Sequence, residues 1–338
     1  MKTMLTCLSA LLLVAARSAA AQDTPNIVWE VPTPSLLANS VLAVGWSPVA
    51  DSFAVGSDDR WFRLRQASDG ALLYSVLEPQ HSHGVAAILY SIDGGLIGVR
   101  NQSSGMSFRV QQASDGLFLG NVVGTFNANA LISFAPDATL LANTGGDGTI
   151  SRWRFSDLTV FRVTGTGYQT VSTAFSFSPD GTLQAATAKG RIVVQRRSDA
   201  AVVKTMRGGP KLVFSPDSSL LASWSPTPNH ILLWRTSNWT LAAQLPSPAS
   251  NEGVAGMRFS PDGQRLVSTG YSPYLDPSGL WQQKGFIRFW DVASGTMQWN
   301  FDQQTDIAVT SAITWSPDGL RFGYGLYNGT AAVAITPP

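Results

Sequence analysis

The chain has 338 residues, 44% apolar, 10% aromatic and 13% charged, with a formal charge of +1. That composition suits a folded soluble chain rather than a disordered or collagenous one, and near-neutrality argues against a nucleic-acid binder. A single cysteine, Cys7, excludes a disulfide framework.

The first element is not part of a fold. Lys2 precedes an apolar run from Leu5 to Ala16, and Ala19-Ala20-Ala21 supplies a small-residue cleavage pattern. These features predict a secretory signal peptide over residues 1–21, cut after Ala21, and therefore a secreted or periplasmic protein. Its removal takes Lys2, Arg17 and Cys7 away and brings the formal charge to −1. No thiol nucleophile or cysteine-ligated metal is then expected. Beyond it no stretch is apolar for long enough to predict a membrane span in the mature chain.

The rest is periodic. Ser47-Pro48, Ser91-Ile92-Asp93-Gly94, Ala135-Pro136-Asp137, Ser178-Pro179-Asp180-Gly181, Ser215-Pro216-Asp217, Ser260-Pro261-Asp262-Gly263 and Ser316-Pro317-Asp318-Gly319 are copies of one string. Positions 48, 92, 136, 179, 216, 261 and 317 are separated by 44, 44, 43, 37, 45 and 56 residues. A sustained period of this length marks a repeat array. Within each copy a small apolar run ends in an aromatic residue, as in Val41–Trp46. The Pro-Asp-Gly turn follows, then a second run such as Leu140–Asn143. A third run such as Ile231–Arg235 comes next, then a Ser-Asp-Gly-like turn and a fourth run such as Val202–Met206.

Short alternating runs between Gly, Pro and Asp turns predict antiparallel strands. A four-stranded sheet cannot bury both faces alone, so the copies are expected to stack around an axis. The expected fold is an all-β, seven-bladed β-propeller of four-stranded antiparallel blades, spanning residues 22–338. The last copy runs out of chain after its third strand, Thr330–Ile335. The spare run Ile27–Val31 is predicted to complete that blade: Trp29 precedes Trp46 by 17 residues, as Trp299 precedes Trp315 by 16.

Phe-Ser-Pro-Asp-Gly, a Leu-Ala-Ser-like strand and an Ile-x-x-Trp strand together resemble the WD-repeat family in its seven-bladed form. The best copies are Phe214–Arg235, Phe259–Asp291 and Phe134–Trp153. Only Trp290-Asp291 keeps the terminal pair, and no copy carries the Gly-His pair of the family. The resemblance implies a rigid ring whose loops contact partners.

The expected innermost strands are Val41–Trp46, Val85–Tyr90, Ala130–Phe134, Thr173–Phe177, Lys211–Phe214, Val254–Phe259 and Ser311–Trp315. They contain no His, Asp or Glu, and their only charges are Lys211 and Arg258. Neither a metal or quinone cofactor nor a carboxylate pair has ligands there. No catalytic residue, metal or cofactor is therefore expected. Asp93, Asp137, Asp180, Asp217, Asp262 and Asp318 fall in the turn after the first strand, and Asp69, Asp115, Asp157 and Asp199 in the turn after the third. Each is expected to bond its own backbone.

His81 and His83 lack a third ligand in sequence, Asp58-Asp59 is expected as a solvated hairpin tip, and Gly165-Thr166-Gly167 lacks the rest of a phosphate loop. No Gly-x-Ser-x-Gly elbow is present.

Two stretches remain as binding candidates. Lys189, Arg191, Arg196, Arg197, Lys204, Arg207 and Lys211 stand against one acid, Asp199. They would form either a patch for an anionic polymer or headgroup, or charge guarding an edge strand. The second is the excess length of the sixth copy, expected as a stiff aromatic loop offering Tyr271, Tyr274, Leu275, Trp281 and Lys284 to a partner. The alternative for those aromatics is folding back onto their own blade. The leading expectation is a non-catalytic extracytoplasmic binding or scaffold protein whose partner is a protein or cell-envelope polymer. The runner-up is a propeller enzyme of lactonase, glycosidase or quinoprotein type with an axial site.

Overall fold

The computed structural model describes residues 24–32, 40–77, 84–101, 107–123, 132–134, 140–144, 149–154, 159–165, 174–188, 190–226, 229–247, 252–302 and 309–338. The predicted signal peptide lies outside them. Their regular structure is strand throughout, β1 to β28, and no helix in them is long and apolar enough to cross a membrane.

Six sheets take four consecutive strands each. The first is β2 (Val41–Trp46), β3 (Ser52–Ser57), β4 (Trp61–Gln66) and β5 (Leu72–Leu77). The second is β6 (Val85–Tyr90), β7 (Leu96–Asn101), β8 (Ser107–Gln112) and β9 (Phe118–Val123). The third is β10 (Ile132–Phe134), β11 (Leu140–Thr144), β12 (Thr149–Arg154) and β13 (Val160–Gly165). The fourth is β14 (Phe175–Phe177), β15 (Leu183–Ala188), β16 (Arg191–Arg196) and β17 (Val202–Arg207). The fifth is β18 (Leu212–Phe214), β19 (Leu220–Pro226), β20 (Asn229–Arg235) and β21 (Leu241–Pro246). The sixth is β22 (Gly253–Phe259), β23 (Arg265–Leu275), β24 (Trp281–Asp291) and β25 (Met297–Asp302).

A composite seventh sheet joins β26 (Val309–Trp315), β27 (Arg321–Leu326) and β28 (Thr330–Ile335) to β1 (Asn26–Pro32) from the other end of the chain. The innermost strands β2, β6, β10, β14, β18, β22 and β26 touch in that order, and β26 returns to β2. The molecule is a closed β-propeller.

The apolar face of each strand explains the stacking. Ala43, Ala54, Phe62 and Leu64 of the first sheet pack on Val85, Ile88, Ile97 and Val99 of the second. Leu212, Phe214 and Leu221 of the fifth pack on Ile192, Val194 and Met206 of the fourth. Each such layer removes two sheet faces from water at about 25 cal/mol per Å2 of apolar surface.

Between the third and fourth strands, all six consecutive sheets skip one residue of pairing, as between Val194 and Gln195. Such a bulge sharpens the twist that lets sheets radiate from an axis. β1 repeats it: Ile27 pairs with Ala334 and Trp29 with Val333, leaving Val28 out. β1 thus occupies the fourth-strand position. Its Trp29 packs edge-on against Phe53 of the first sheet, with ring centroids 5.5 Å apart. Trp29 Nε1 also donates to the Ala67 carbonyl at 2.9 Å. The ring floor there is Gly70, at φ +79°, where a Cβ would meet the indole at 2.8 Å.

Candidate functional site

The extra length of the sixth copy is not a loop. β23 and β24 continue past their neighbours as a hairpin, paired from Tyr271↔Gly285 to Leu275↔Trp281. Its tip is built by Asp276. Oδ1 accepts from the Ser278 and Leu280 backbone N–H groups, both at 2.9 Å. Gly279 supplies a left-handed conformation at φ +80°. The two prolines read as loop punctuation in sequence, yet neither breaks the ladder: Pro273 pairs with Gln283, and Pro277 stands in the tip beyond the last pair.

Alternation divides the hairpin into two faces. Tyr271, Pro273, Leu275, Trp281 and Gln283 share one; Ser272, Tyr274, Gln282 and Lys284 share the other. The first face is open, with Trp281 68%, Leu275 56% and Tyr271 41% exposed. The second is more covered: Ser272 is buried, and Tyr274 and Lys284 are half-buried. Of the five expected contact residues, the structure brings Tyr271, Leu275 and Trp281 together and turns Tyr274 and Lys284 away. The folding-back of Trp281 is not observed.

The hairpin stands on a buried charge cluster that the sequence reading missed. Arg288 on β24 is 2% exposed at its side chain. It donates twice to Glu252, from Nη1 to Oε2 and from Nη2 to Oε1, each at 2.6 Å. Its Nε donates to Asn300 Oδ1 at 3.0 Å, and its guanidinium lies 3.9 Å from the Phe286 ring centroid. Ser247 Oγ donates to Glu252 as well. Lys284 reaches Asp302 at 3.6 Å, tying the inner face of the hairpin to β25. The signal for Arg288 was an arginine inside the apolar run Phe286–Trp290. Its partner comes from 36 residues away, where no local pattern points to it.

A second buried pair corrects an expectation. Asp59 is not a solvated tip: it accepts from Arg63 Nη1 at 3.2 Å and Nη2 at 2.5 Å, with side chains only 9% and 7% exposed. Arg63 projects from the β4 core run Phe62–Leu64, where Asp59 offsets the cost of burying its charge.

The basic run is dispersed. Arg191 and Arg207 are exposed and directly paired across β16 and β17. Arg196 is neutralised by Asp199 at 2.7 Å. Arg197 lies over the Phe177 ring at 5.5 Å, Lys204 is half-buried on the outer strand, and Lys211 is on the innermost path. Lys189 lies outside the described residues, as do His81 and His83.

The turn aspartates behave as expected wherever they are described. Asp93, Asp180, Asp217, Asp262 and Asp318 each accept from the serine two residues earlier at 2.5–2.6 Å. Asp69, Asp115 and Asp199 each accept from the backbone N–H two residues on. Asp137 and Asp157 are outside the described residues. Among the described residues no group of three or more His, Cys, Asp or Glu is placed to hold a metal.

Among the described residues, two third-strand tryptophans bond a serine on the second strand of their own sheet. Trp290 Nε1 donates to Ser268 Oγ at 2.9 Å, and Trp234 Nε1 to Ser223 Oγ at 3.1 Å. No protein-family model matches this chain, and no curated protein matches it.

Proposed function

We propose that this chain is a WD-repeat-like binding or scaffold protein acting outside the cytoplasm, without catalysis of its own. Its β23–β24 hairpin contacts a protein or a cell-envelope polymer. The observation that carries the reading is the open face of Tyr271, Leu275 and Trp281 on a paired hairpin. Aromatic anchors on a rigid support lose little entropy on binding, and Trp and Tyr supply most of the energy at such contacts. The Glu252–Arg288 cluster and the Lys284–Asp302 pair hold that support from below.

The experiment is affinity capture from the extracytoplasmic fraction with the mature chain and with Trp281→Ala. The expected result is capture reduced about tenfold or more, as for a hot-spot tryptophan, with an unchanged melting temperature. Undiminished capture by the variant contradicts the reading.

A further inference from the structure

A cavity of about 380 Å3 lies on the axis at the end where first strands turn into second strands, opposite the hairpin tip. Most of the side chains in its wall are apolar or aromatic, including Trp46, Ile88, Leu89, Tyr90, Phe177 and Ile313, while nearly half of the exposed wall is polar. Thr314 and Ser91 add hydroxyls. Among the described residues, the one charged side chain in the lining is Arg258.

Strand alternation puts it there. Met257 and Phe259 pack into the layer between the fifth and sixth sheets, so Arg258 faces the axis. On the adjoining sheet Leu212 and Phe214 pack into the layer against the fourth sheet and Val213 into the layer against the sixth, with half-buried Lys211 just before the same strand.

Arg258 is solvent-accessible, and its Nη1 donates to the neighbouring Met257 carbonyl at 2.9 Å. Among the described residues no carboxylate pairs with Arg258 or Lys211. Burial, and then the Arg258 charge, hold the Lys211 ammonium below its ordinary range. Lys211 is not in the lining; its charge and that of Arg258 repel each other, and an anion bound at Arg258 offsets that repulsion.

We propose that the axial cavity binds a small amphipathic organic anion: a carboxylate, held by Arg258 with Lys211 adding attraction, carrying an apolar body that lies on the aromatic wall. The volume lies within the range of about 300–1,000 Å3 usual for small-molecule sites, and apolar and aromatic side chains around one convergent charge are their usual chemistry. This site is independent of the hairpin.

The test is isothermal titration of the mature chain with 2-naphthoate, alongside acetate as the bare head group and 2-naphthylmethanol as the neutral body. One saturable site is expected for 2-naphthoate, with both comparison compounds weaker by about tenfold or more. Arg258→Gln should weaken 2-naphthoate by about tenfold or more, and Lys211→Gln by a smaller factor. Leu89→Trp, which fills the cavity and leaves both cations in place, should abolish binding, and Trp281→Ala should leave it unchanged. Circular dichroism and melting curves establish that each variant is folded. No saturable binding, equal binding to folded Arg258→Gln, or acetate binding as tightly as 2-naphthoate each overturns the proposal. Should Arg258→Gln fail to fold, binding retained by Leu89→Trp overturns it.

Discussion

Ser316 donates to Asp318 Oδ1 at 2.5 Å while its Oγ accepts from the Arg321 backbone N–H at 2.9 Å. Asp318 in turn accepts from the Leu320 N–H at 3.0 Å. One hydroxyl and one carboxylate thus close the turn, and the same geometry recurs at Ser91, Ser178, Ser215 and Ser260. Ser316 is buried, so Ser316→Ala leaves the Arg321 N–H unpaired and should cost about 1–3 kcal/mol, read as a lower urea midpoint at unchanged slope.

The serine hydroxyl is the leading cause that holds the Asp93, Asp217 and Asp318 carboxyls below their ordinary 3.8. A depressed folded value contributes stability that is complete above the unfolded value and lost as pH falls through the folded one. The melting temperature should therefore be insensitive to these groups above pH 5 and fall below about pH 4. Asp93→Asn, Asp217→Asn and Asp318→Asn combined should flatten that acid limb. The aspartate–backbone bonds of these turns were legible in sequence because each is local, whereas the serine hydroxyl's part in them was not read. The Glu252–Arg288 and Asp59–Arg63 pairs were not. A pair's worth depends on burial, and burial is set by neighbouring sheets.

β1 and the hairpin test legibility at the scale of elements. The spare run Ile27–Val31 was legible because spacing alone matched Trp29 to the fourth-strand position of Trp299. Trp29 is 7% exposed and bridges the composite sheet to the first. Trp29→Ala should cost about 3–5 kcal/mol, seen in urea unfolding, and residues 32–338 alone should melt lower than residues 22–338. Gly323 on β27 approaches Phe53 so closely that a Cβ would lie 2.2 Å from its ring. Gly323→Ala should therefore destabilise by about 1–3 kcal/mol by pushing the composite and first sheets apart. The hairpin was misread as a loop for a specific reason. Its return strand, Trp281-Gln282-Gln283-Lys284-Gly285, carries no apolar alternation, and pairing beyond the ring leaves no core to impose one.

For the whole molecule, ring closure carries seven local patterns to the proposed contact hairpin and the proposed binding cavity at opposite ends of the axis. The order of innermost strands follows from chain order, so the architecture was readable from the repeat. The axial cavity was not, because its volume and its Arg258 lining exist only once sheets from distant parts of the chain converge. A rigid ring also means that partner contact at the hairpin should leave the rest unchanged. Hydrogen–deuterium exchange of residues 22–338 with and without a partner captured as proposed tests this directly. New protection should be concentrated in residues 271–284. Protection elsewhere on the ring, with the hairpin amides exchanging as before, would contradict it.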